Sequence, residues 1–577
     1  MGLMLERLVT DILILGSGGA GLFAALHAHQ ANPGLAIAVA SKGLLGKCGC
    51  TRMVQGGYNV ALHKGDSIER HFMDTIEGGK WLPNQKMAWT LVSKAIERVQ
   101  ELENEIGCFF DRNPDGSLHG KAFAGQTFDR TVHKGDLTGI EIINRLMEQV
   151  WARPIERLEE HRAVALIPAA GRQALAGVLL VDMRTGSFRL VSAKAVLLAT
   201  GGGPTMYRYH TPSGDKSMDG LAMALRLGLP LRDMEMVQFH PTGLLAGPDT
   251  RMTGTVLEEG LRGAGGYLLN GKGERFMQAR DPRAERATRD FVSRCIYEEM
   301  RAGRTSPHGG VYIKMAHLGP DQVAKEFKGM VERCADCGFD LAAGLVEVVP
   351  TAHYLMGGVI CDVDTSTEVA GLFVAGEDAG GAHGANRLGG NGVANSTVFG
   401  GIAGESMAHW IARNPGHRAP DEAVVRSELV RAQHPFGLPP GDLNRLRERL
   451  LDCMWDEVGV IRGAAGLRRG GAALDALEQE LLATGLADGE RAFNLTWHDW
   501  LNLRSLIEVS KAILAAAQQR ENSRGAHFRE DFPNAGDLAT SSFTVVRQHG
   551  AGLSVSSEPV EFSIVRPGES LLPKAAR

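Results

Sequence analysis

Three clusters of glycine in this chain each follow a short apolar run. Glycine in that position lets backbone lie directly against a bound phosphate or ring. The first cluster is Gly16-Ser17-Gly18-Gly19-Ala20-Gly21. The spacing of Gly16, Gly18 and Gly21 fits a dinucleotide fingerprint: a glycine for the turn, one for the pyrophosphate approach and one for close helix packing, with a helix N-terminus facing the phosphates. The second cluster is Ala199-Thr200-Gly201-Gly202-Gly203 and the third is Gly376-Glu377-Asp378. A nicotinamide enzyme needs little beyond the first. The other two favour a flavin dinucleotide, with Glu377 set to accept hydrogen bonds from a ribityl chain and Gln55-Gly56-Gly57 offering backbone N–H groups to the isoalloxazine ring. One part of the fingerprint is missing. The acidic residue expected near the end of the second strand, where it would hold a ribose, is replaced by Ser41-Lys42.

These glycines need a scaffold. Residues 11–15 read as a strand, 22–28 as a helix and 35–40 as a second strand, which completes a β-α-β unit. Residues 163–181 read as a hairpin, and 195–198 and 371–375 as buried strands. Three strand-to-glycine junctions so far apart predict one sheet assembled from distant segments, with a mixed insertion between them. Residues 415–440, rich in Pro, His and charge, read as a linker. Residues 442–520 carry helical periodicity through Leu443, Leu446, Leu450 and later Leu503, Leu506 and Ile507. The remainder, from residue 521, reads as short-stranded and polar.

At 577 residues, 44% apolar and 22% charged, the chain suits several soluble domains. Its net charge of -5 argues against nucleic-acid binding, since no basic excess is available to displace counterions from phosphates. No apolar run reaches membrane-span length and residues 1–10 lack a secretory pattern, so a cytoplasmic protein with no transmembrane segment is expected. Eight cysteines in so long a chain predict reduced thiols rather than a disulfide framework. The single Cys334-x-x-Cys337 pair is too few ligands for a structural zinc or iron–sulfur site, and no metal is expected.

At Gly384-Ala385-Asn386-Arg387-Leu388-Gly389-Gly390-Asn391 the chain resembles the flavoprotein subunit of succinate dehydrogenase and fumarate reductase, a group with L-aspartate oxidase as a relative. Gln238-Phe239-His240-Pro241-Thr242-Gly243, His353-Tyr354-Leu355-Met356-Gly357-Gly358 and Ser523-Arg524-Gly525-Ala526-His527-Phe528-Arg529 extend the likeness over nearly the whole chain. The resemblance implies an α/β fold: a Rossmann-like FAD-binding domain (1–235 and 351–413) with an inserted α+β capping domain (236–350), then a helical domain (436–520) and a small C-terminal domain (521–577).

It also implies roles. Arg387, with His353, would hold one carboxylate of a small acid, as suits a guanidinium fork, and His240 the opposite one. Arg289 would be the acid/base that accompanies hydride transfer. A guanidinium of pKa above ~12 is a poor acid in water, so it is paired with a relay, here Glu259 and Arg262. Phe123 and Gln126 would cover the substrate. The cofactor set comprises Gly16, Gly18, Gly19, Ala20, Gly21, Ser41, Lys42, Cys50, Gln55, Gly56, Gly57, Ala199, Thr200, Gly201, Asp219, Glu377, Asn391, Gly392 and Val393.

Two positions depart from the family pattern. Cys50 stands where membrane-complex members carry the histidine that bonds flavin, so non-covalent FAD is expected, a thioether from Cys50 being the alternative. Glu258 replaces the substrate-contacting threonine. A like-charge contact at ~4 Å and an effective dielectric of ~20 costs about 4 kcal/mol, roughly three decades of affinity. Weak succinate and fumarate turnover is therefore expected, with a modified C4-type acid as substrate and electrons exchanged with an iron–sulfur subunit. The alternative reading is a soluble oxidase like L-aspartate oxidase, reoxidised by oxygen or fumarate.

Overall fold

Two fully buried apolar runs, Ile12–Leu15 and Ala195–Leu198, lie side by side at the centre of the molecule. Strands covered on both faces read as continuous apolar segments, and these do. The computed structural model describes residues 5–573 apart from 172, 249 and 551. Among these residues the main sheet has seven strands. Their order is Ile155–Glu159, Ile37–Ser41, Leu5–Leu15, Phe188–Leu198, Leu175–Asp182 and His161–Pro168, with Leu372–Val374 added to Phe188–Leu198. Strand Phe188–Leu198 is shared between partners. Residues 188–192 pair antiparallel with Leu175–Asp182, and 196–198 pair parallel with Leu372–Val374. The three strand ends at Leu15, Leu198 and Val374 thus become neighbours, which brings the three glycine junctions to one edge.

The first strand is longer than its apolar run predicts, Leu5–Leu15 rather than 11–15. Its added residues are mostly part-buried or exposed, Val9 among the exposed; they are strand because they register against Phe188–Ala193. Helix Gly19–Ala31 is buried from Gly19 to Ala28, held between this sheet and helix Asn391–Arg413. Gly400 and Gly404 make that contact. A Cβ on either would overlap the backbone of Ala20 or Ala24, so the two helices meet main chain to main chain. This brings the N-terminus of Asn391–Arg413 beside the first glycine cluster.

The insertion forms a four-stranded antiparallel sheet in the order Val237–Leu244, Leu345–Leu355, Val311–Lys314, Tyr267–Leu269. Helix Arg289–Arg301 packs on its first strand, and Ser293 Oγ donates to the Phe239 carbonyl at 2.9 Å. Two register shifts break the pairing of Val237–Leu244 with Leu345–Leu355. Gln238 faces Tyr354 and Phe239 faces Ala352, which leaves His353 as the extra residue of a bulge.

The segment expected to be a linker, 415–440, is not one. It carries helix Glu422–Gln433, started by Asp421, whose carboxylate accepts from Ala423 N and Val424 N, and anchored by buried Val425 and Ala432. Its proline and charge mask a two-residue apolar anchor. Helices Leu443–Glu457, Ala464–Ala483 and Leu495–Gln519 follow. Trp497 and Trp500 are fully buried there, each indole N–H donating to a carbonyl: Ala432 for Trp497, and Leu481 and Thr484 for Trp500. No helix of the described residues is long and apolar enough to cross a membrane.

The C-terminal hairpin Ser542–His549 and Gly552–Pro559 pairs onto Leu231–Arg232. Arg520 clamps the segment that enters the capping sheet, bonding Asp233 at 3.0 Å and Glu235 as well, all three buried. Removing the cation leaves buried Glu235 without its ion-pair partner and Asp233 with Arg232 alone, at 3.2 Å, which costs roughly 3–5 kcal/mol. Arg520→Met should therefore lower the thermal unfolding midpoint sharply; a midpoint equal to the wild type's would show that the clamp carries no stability.

Candidate functional site

The sequence-predicted residues converge on one cavity of about 550 Å³, which all but four of them line. The exceptions are Gly21, Arg262, Gln126 and Asn391. Gly21 acts through packing, because a Cβ there would overlap the Gly16 carbonyl. Asn391 is consumed by the framework: its Oδ1 accepts from Asn59 Nδ2 at 2.8 Å and lies 2.9 Å from His71 Nε2, and its Nδ2 donates to Thr75 Oγ1 at 3.1 Å. Gln126 likewise donates to the Gly389 carbonyl at 3.0 Å and to Asn59 Oδ1 at 3.2 Å, so its amide holds the arginine loop.

At one end of the cavity the groups suit FAD. Gly16 (φ +113°) is crowded by Ala199, but a Cβ on Gly18 would meet only Thr51 Oγ1, at 3.4 Å. The middle glycine leaves bare backbone at the N-terminus of helix Gly19–Ala31, where a pyrophosphate would lie. Glu377 Oε1 accepts from Leu355 N at 2.9 Å and Gly203 N at 3.1 Å, and Oε2 takes no hydrogen bond from the described residues. Burial pushes this carboxyl up to about 7. Gln55 donates across the domain interface to the Val256 carbonyl at 3.2 Å, and its Oε1 is buried without a partner among the described residues. These unspent acceptors and the bare glycine turn fit ribityl, isoalloxazine and phosphate groups.

Three expected cofactor contacts are modified by their neighbours. Lys42 bonds Ser217 Oγ at 2.8 Å and pairs with Asp219 at 3.0 Å. Asp219 also takes Arg162 at 2.6 Å; although burial raises its carboxyl, Arg162 and Lys42 outweigh that and hold it well below the usual range. Burial pushes the Cys50 thiol up to about 12, with Glu377 adding to the effect. A thiol so protonated is a poor nucleophile, which favours non-covalent FAD.

At the other end lie the groups for an anion. Arg387 stacks over the Tyr354 ring at 4.4 Å, donates only a long 3.4 Å bond to the Leu388 carbonyl, and has its Nε buried without a partner among the described residues. Burial, and then Arg289, lower it to about 10, so it stays charged at neutral pH. His240 and His353 lie with ring centroids 5.4 Å apart. Burial and the nearby Arg289 push both well below the usual histidine value, so both are neutral. Thr242 N donates to His240 Nδ1 at 3.3 Å, which leaves the ring proton on Nε2 as a donor. His353 Nδ1 bonds Thr211 Oγ1 at 2.7 Å, and the bulge sets its orientation.

Beside them lies a buried ion triad. Arg289 Nη2 bonds Glu259 Oε2 at 2.6 Å, and Arg262 Nη2 bonds Glu259 Oε1 at 2.8 Å. Burial raises the Glu259 carboxyl, but Arg289 and Arg262 outweigh it and hold it below the usual range. Arg262 sits behind Glu259, anchored to the Glu285 carbonyl at 2.6 Å. The two-glycine step of the arginine loop makes room: a Cβ on Gly389 would overlap Glu259 and meet Arg289 Nη2 at 3.0 Å.

Sequence reasoning missed two residues here. Gln238 accepts from Arg289 Nη1 at 3.2 Å and donates to the Arg387 carbonyl at 2.7 Å, so one amide sets the spacing of both arginines. Its position in the same string as His240 was the available signal. Lys121 donates to Glu258 Oε1 at 2.7 Å, which answers the charge expected to repel a substrate. Nothing in the sequence links these two residues.

Comparison with known proteins agrees with this chemistry. The family described as FAD binding domain matches residues 11–393, and that described as fumarate reductase flavoprotein C-term matches 447–572. An uncharacterized FAD-dependent oxidoreductase of Methanocaldococcus jannaschii is 39% identical over 91% of this chain and 94% of its own. A subunit of the CoM/CoB fumarate reductase of Methanothermobacter marburgensis is 38% identical over the same shares. Among solved structures, an Escherichia coli quinol fumarate reductase variant superimposes with a TM-score of 0.92 at 32% identity, covering 98% of this chain and 99% of that one.

Two outcomes are expected from the geometry. Gln238→Leu should lower kcat by about 10–100-fold, the scale of a misplaced reacting group, with FAD content unchanged; an unaltered kcat would remove Gln238 from the site. Glu377, a carboxyl raised to about 7 in the fold, stabilises the FAD-free chain only while protonated. That contribution is fully present below the unfolded value near ~4.3 and is lost as pH rises through about 7. Over the same interval FAD titrations should show tighter binding, since the acceptor form is the carboxylate. Glu377→Gln should flatten both profiles, and an unchanged pH dependence in that variant would contradict the assignment.

Proposed function

We propose, for a chain that belongs to the succinate dehydrogenase and fumarate reductase flavoprotein family, that it interconverts a C4 dicarboxylate of the fumarate and succinate class and exchanges the electrons with an iron–sulfur partner. The chain is an FAD-dependent oxidoreductase acting on a carboxylate. The single observation that carries the finer reading is the buried Arg289–Glu259–Arg262 triad, tied through Gln238 to the Arg387 loop.

FAD, when bound, supplies the two-electron hydride chemistry; the chain supplies the rest. Arg387, with neutral His353, holds one carboxylate, and His240 donates from Nε2 to the other. In reduction, Arg289 gives a proton to the carbon next to the one that takes the hydride. Arg289, once neutral, is recharged through Glu259: the ionised carboxylate accepts a proton from Arg262 Nη2 and passes it to Arg289 Nη2, and the net proton comes from solvent. Oxidation runs the same path backwards. Closure of the capping sheet over the cavity excludes water from this exchange.

Two features support an electron-transfer partner. Relatives of this chain are named as subunits of larger enzymes. At the cofactor end of the cavity Met53 and Leu137 also line it, yet are 44% and 51% exposed, an apolar surface suited to being covered by another chain. On this reading the chain is cytoplasmic, or peripheral at the inner face of the membrane through its partners. The pairing of Glu258 with Lys121 removes the main reason to prefer an amino-bearing substrate and an oxidase.

With reduced methyl viologen as donor, the purified chain should reduce fumarate. Arg289→Gln should lower that rate by about 10³-fold, within the span of a lost general acid, while dicarboxylate still perturbs the flavin spectrum. Rapid hydrogen peroxide formation with L-aspartate, and none of this fumarate activity, would replace the reading with the oxidase.

A further inference from the structure

Glu258 is one of the two positions expected to depart from the family pattern, and its side chain is 1% exposed on the wall of the cavity. An anion there is a poor neighbour for a dicarboxylate unless something cancels it. Its Oε1 accepts from Lys121 Nζ at 2.7 Å, and the same ammonium donates to the Gly135 carbonyl at 2.8 Å. Lys121 lies on the short strand Gly120–Lys121, which pairs with Thr131–Val132, whereas Glu258 comes from the insertion. The pair therefore bridges the two domains at the rim of the site. The backbones are close at this point: a Cβ on Gly263 would stand 2.6 Å from the Ala122 carbonyl.

The charges of the reacting end can be followed one by one. Arg289, Arg262 and Arg387 oppose Glu259, and His240 and His353 are neutral. Three guanidiniums against one carboxylate leave two positive charges, the complement of a dicarboxylate dianion. Glu258 alone would remove one of them. The other charged groups facing it are Asp136 and Arg333, of opposite sign. Lys121 is the cation in direct contact.

Resting on the dicarboxylate reading above, we propose that Lys121 is a specificity-determining residue. By pairing with Glu258 across the domain interface, it keeps the site two charges positive and so admits an unmodified dianion. A neutral threonine at this position would need no such partner. The two positions thus act as one unit, and neither can be understood from its own side chain.

The test is a double-mutant cycle on the FAD-loaded enzyme, comparing wild type, Lys121→Met, Glu258→Thr and the pair. Two measurements are made: fumarate kinetics with reduced methyl viologen, and malonate binding by perturbation of the flavin spectrum. Crotonate, a monoanion, serves as control. Lys121→Met should raise the fumarate KM and malonate Kd by about tenfold or more, more than it lowers kcat, and crotonate should be affected less. The rise should grow with pH, as the unpaired Glu258 ionises. Adding Glu258→Thr should bring both constants back to within about threefold of wild type. Lys121→Arg, which keeps the charge, should retain them.

Should Lys121→Met not fold, Glu258→Thr alone decides: the freed cation should leave malonate binding as tight or tighter, and weaker binding overturns the proposal. Unchanged dicarboxylate constants in Lys121→Met, or a double variant no better than it, also overturn the proposal while leaving the dicarboxylate reading intact. A wild type that neither reduces fumarate nor binds malonate overturns both.

Discussion

A carboxylate gripped by two guanidiniums in a desolvated setting is an expensive thing to build, and this molecule is arranged around one. Glu259 is 2% exposed, Arg262 0% and Arg289 6%. Desolvating such a triad costs several kcal/mol per ion unless geometry and further hydrogen bonds offset it. The offsets are visible: Arg262 is anchored to a carbonyl, Arg289 to Gln238, and Gln238 in turn to the backbone of Arg387. The triad and Arg387 together leave a net two positive charges at this end of the cavity. A ligand of opposite charge is the natural complement of that excess, so the cost of assembling the site and its selectivity come from the same arrangement.

Close approach of main chain is the second requirement, and glycine meets it in two places. Gly400 and Gly404 let the dinucleotide helix lie against Asn391–Arg413, which brings the cofactor end together. Gly389 opens space for Glu259 and Arg289, while Gly263 lets the insertion come against residue 122. The first pair is internal to one domain and the second works across two. A methyl group at any of these positions would hold apart surfaces whose side chains must touch.

Much of this is legible in the sequence, for identifiable reasons. The glycine clusters at strand ends announce a cofactor site, because strand, turn and helix are local and their signals are short. Arg387, His240, His353 and the triad are legible through strings whose order matches a family. What stays hidden is set by tertiary contact. Gln126 and Asn391 look like ligand contacts from their strings, but their amides are spent on Gly389, Asn59 and His71. Glu258 looks like a bare charge because Lys121, which answers it, is 137 residues away in sequence. The helix Glu422–Gln433 is lost among prolines, since two buried side chains make too weak a period to notice.

The strand Phe188–Leu198 has one more implication, for how the chain is made. Its last residues pair with Leu372–Val374, which lie beyond the whole insertion. A ribosome must therefore release nearly four hundred residues before the sheet edge that receives the cofactor exists. At roughly 5–20 residues per second this takes tens of seconds. Once residue 198 is out, the buried faces of 12–15 and 195–198 have each other but lack the final strand, and helix Gly19–Ala31 has no Gly400 to lie against. The nascent chain spends that time as a half-closed sheet with an apolar edge open to the cell, and no site yet exists to bind the cofactor.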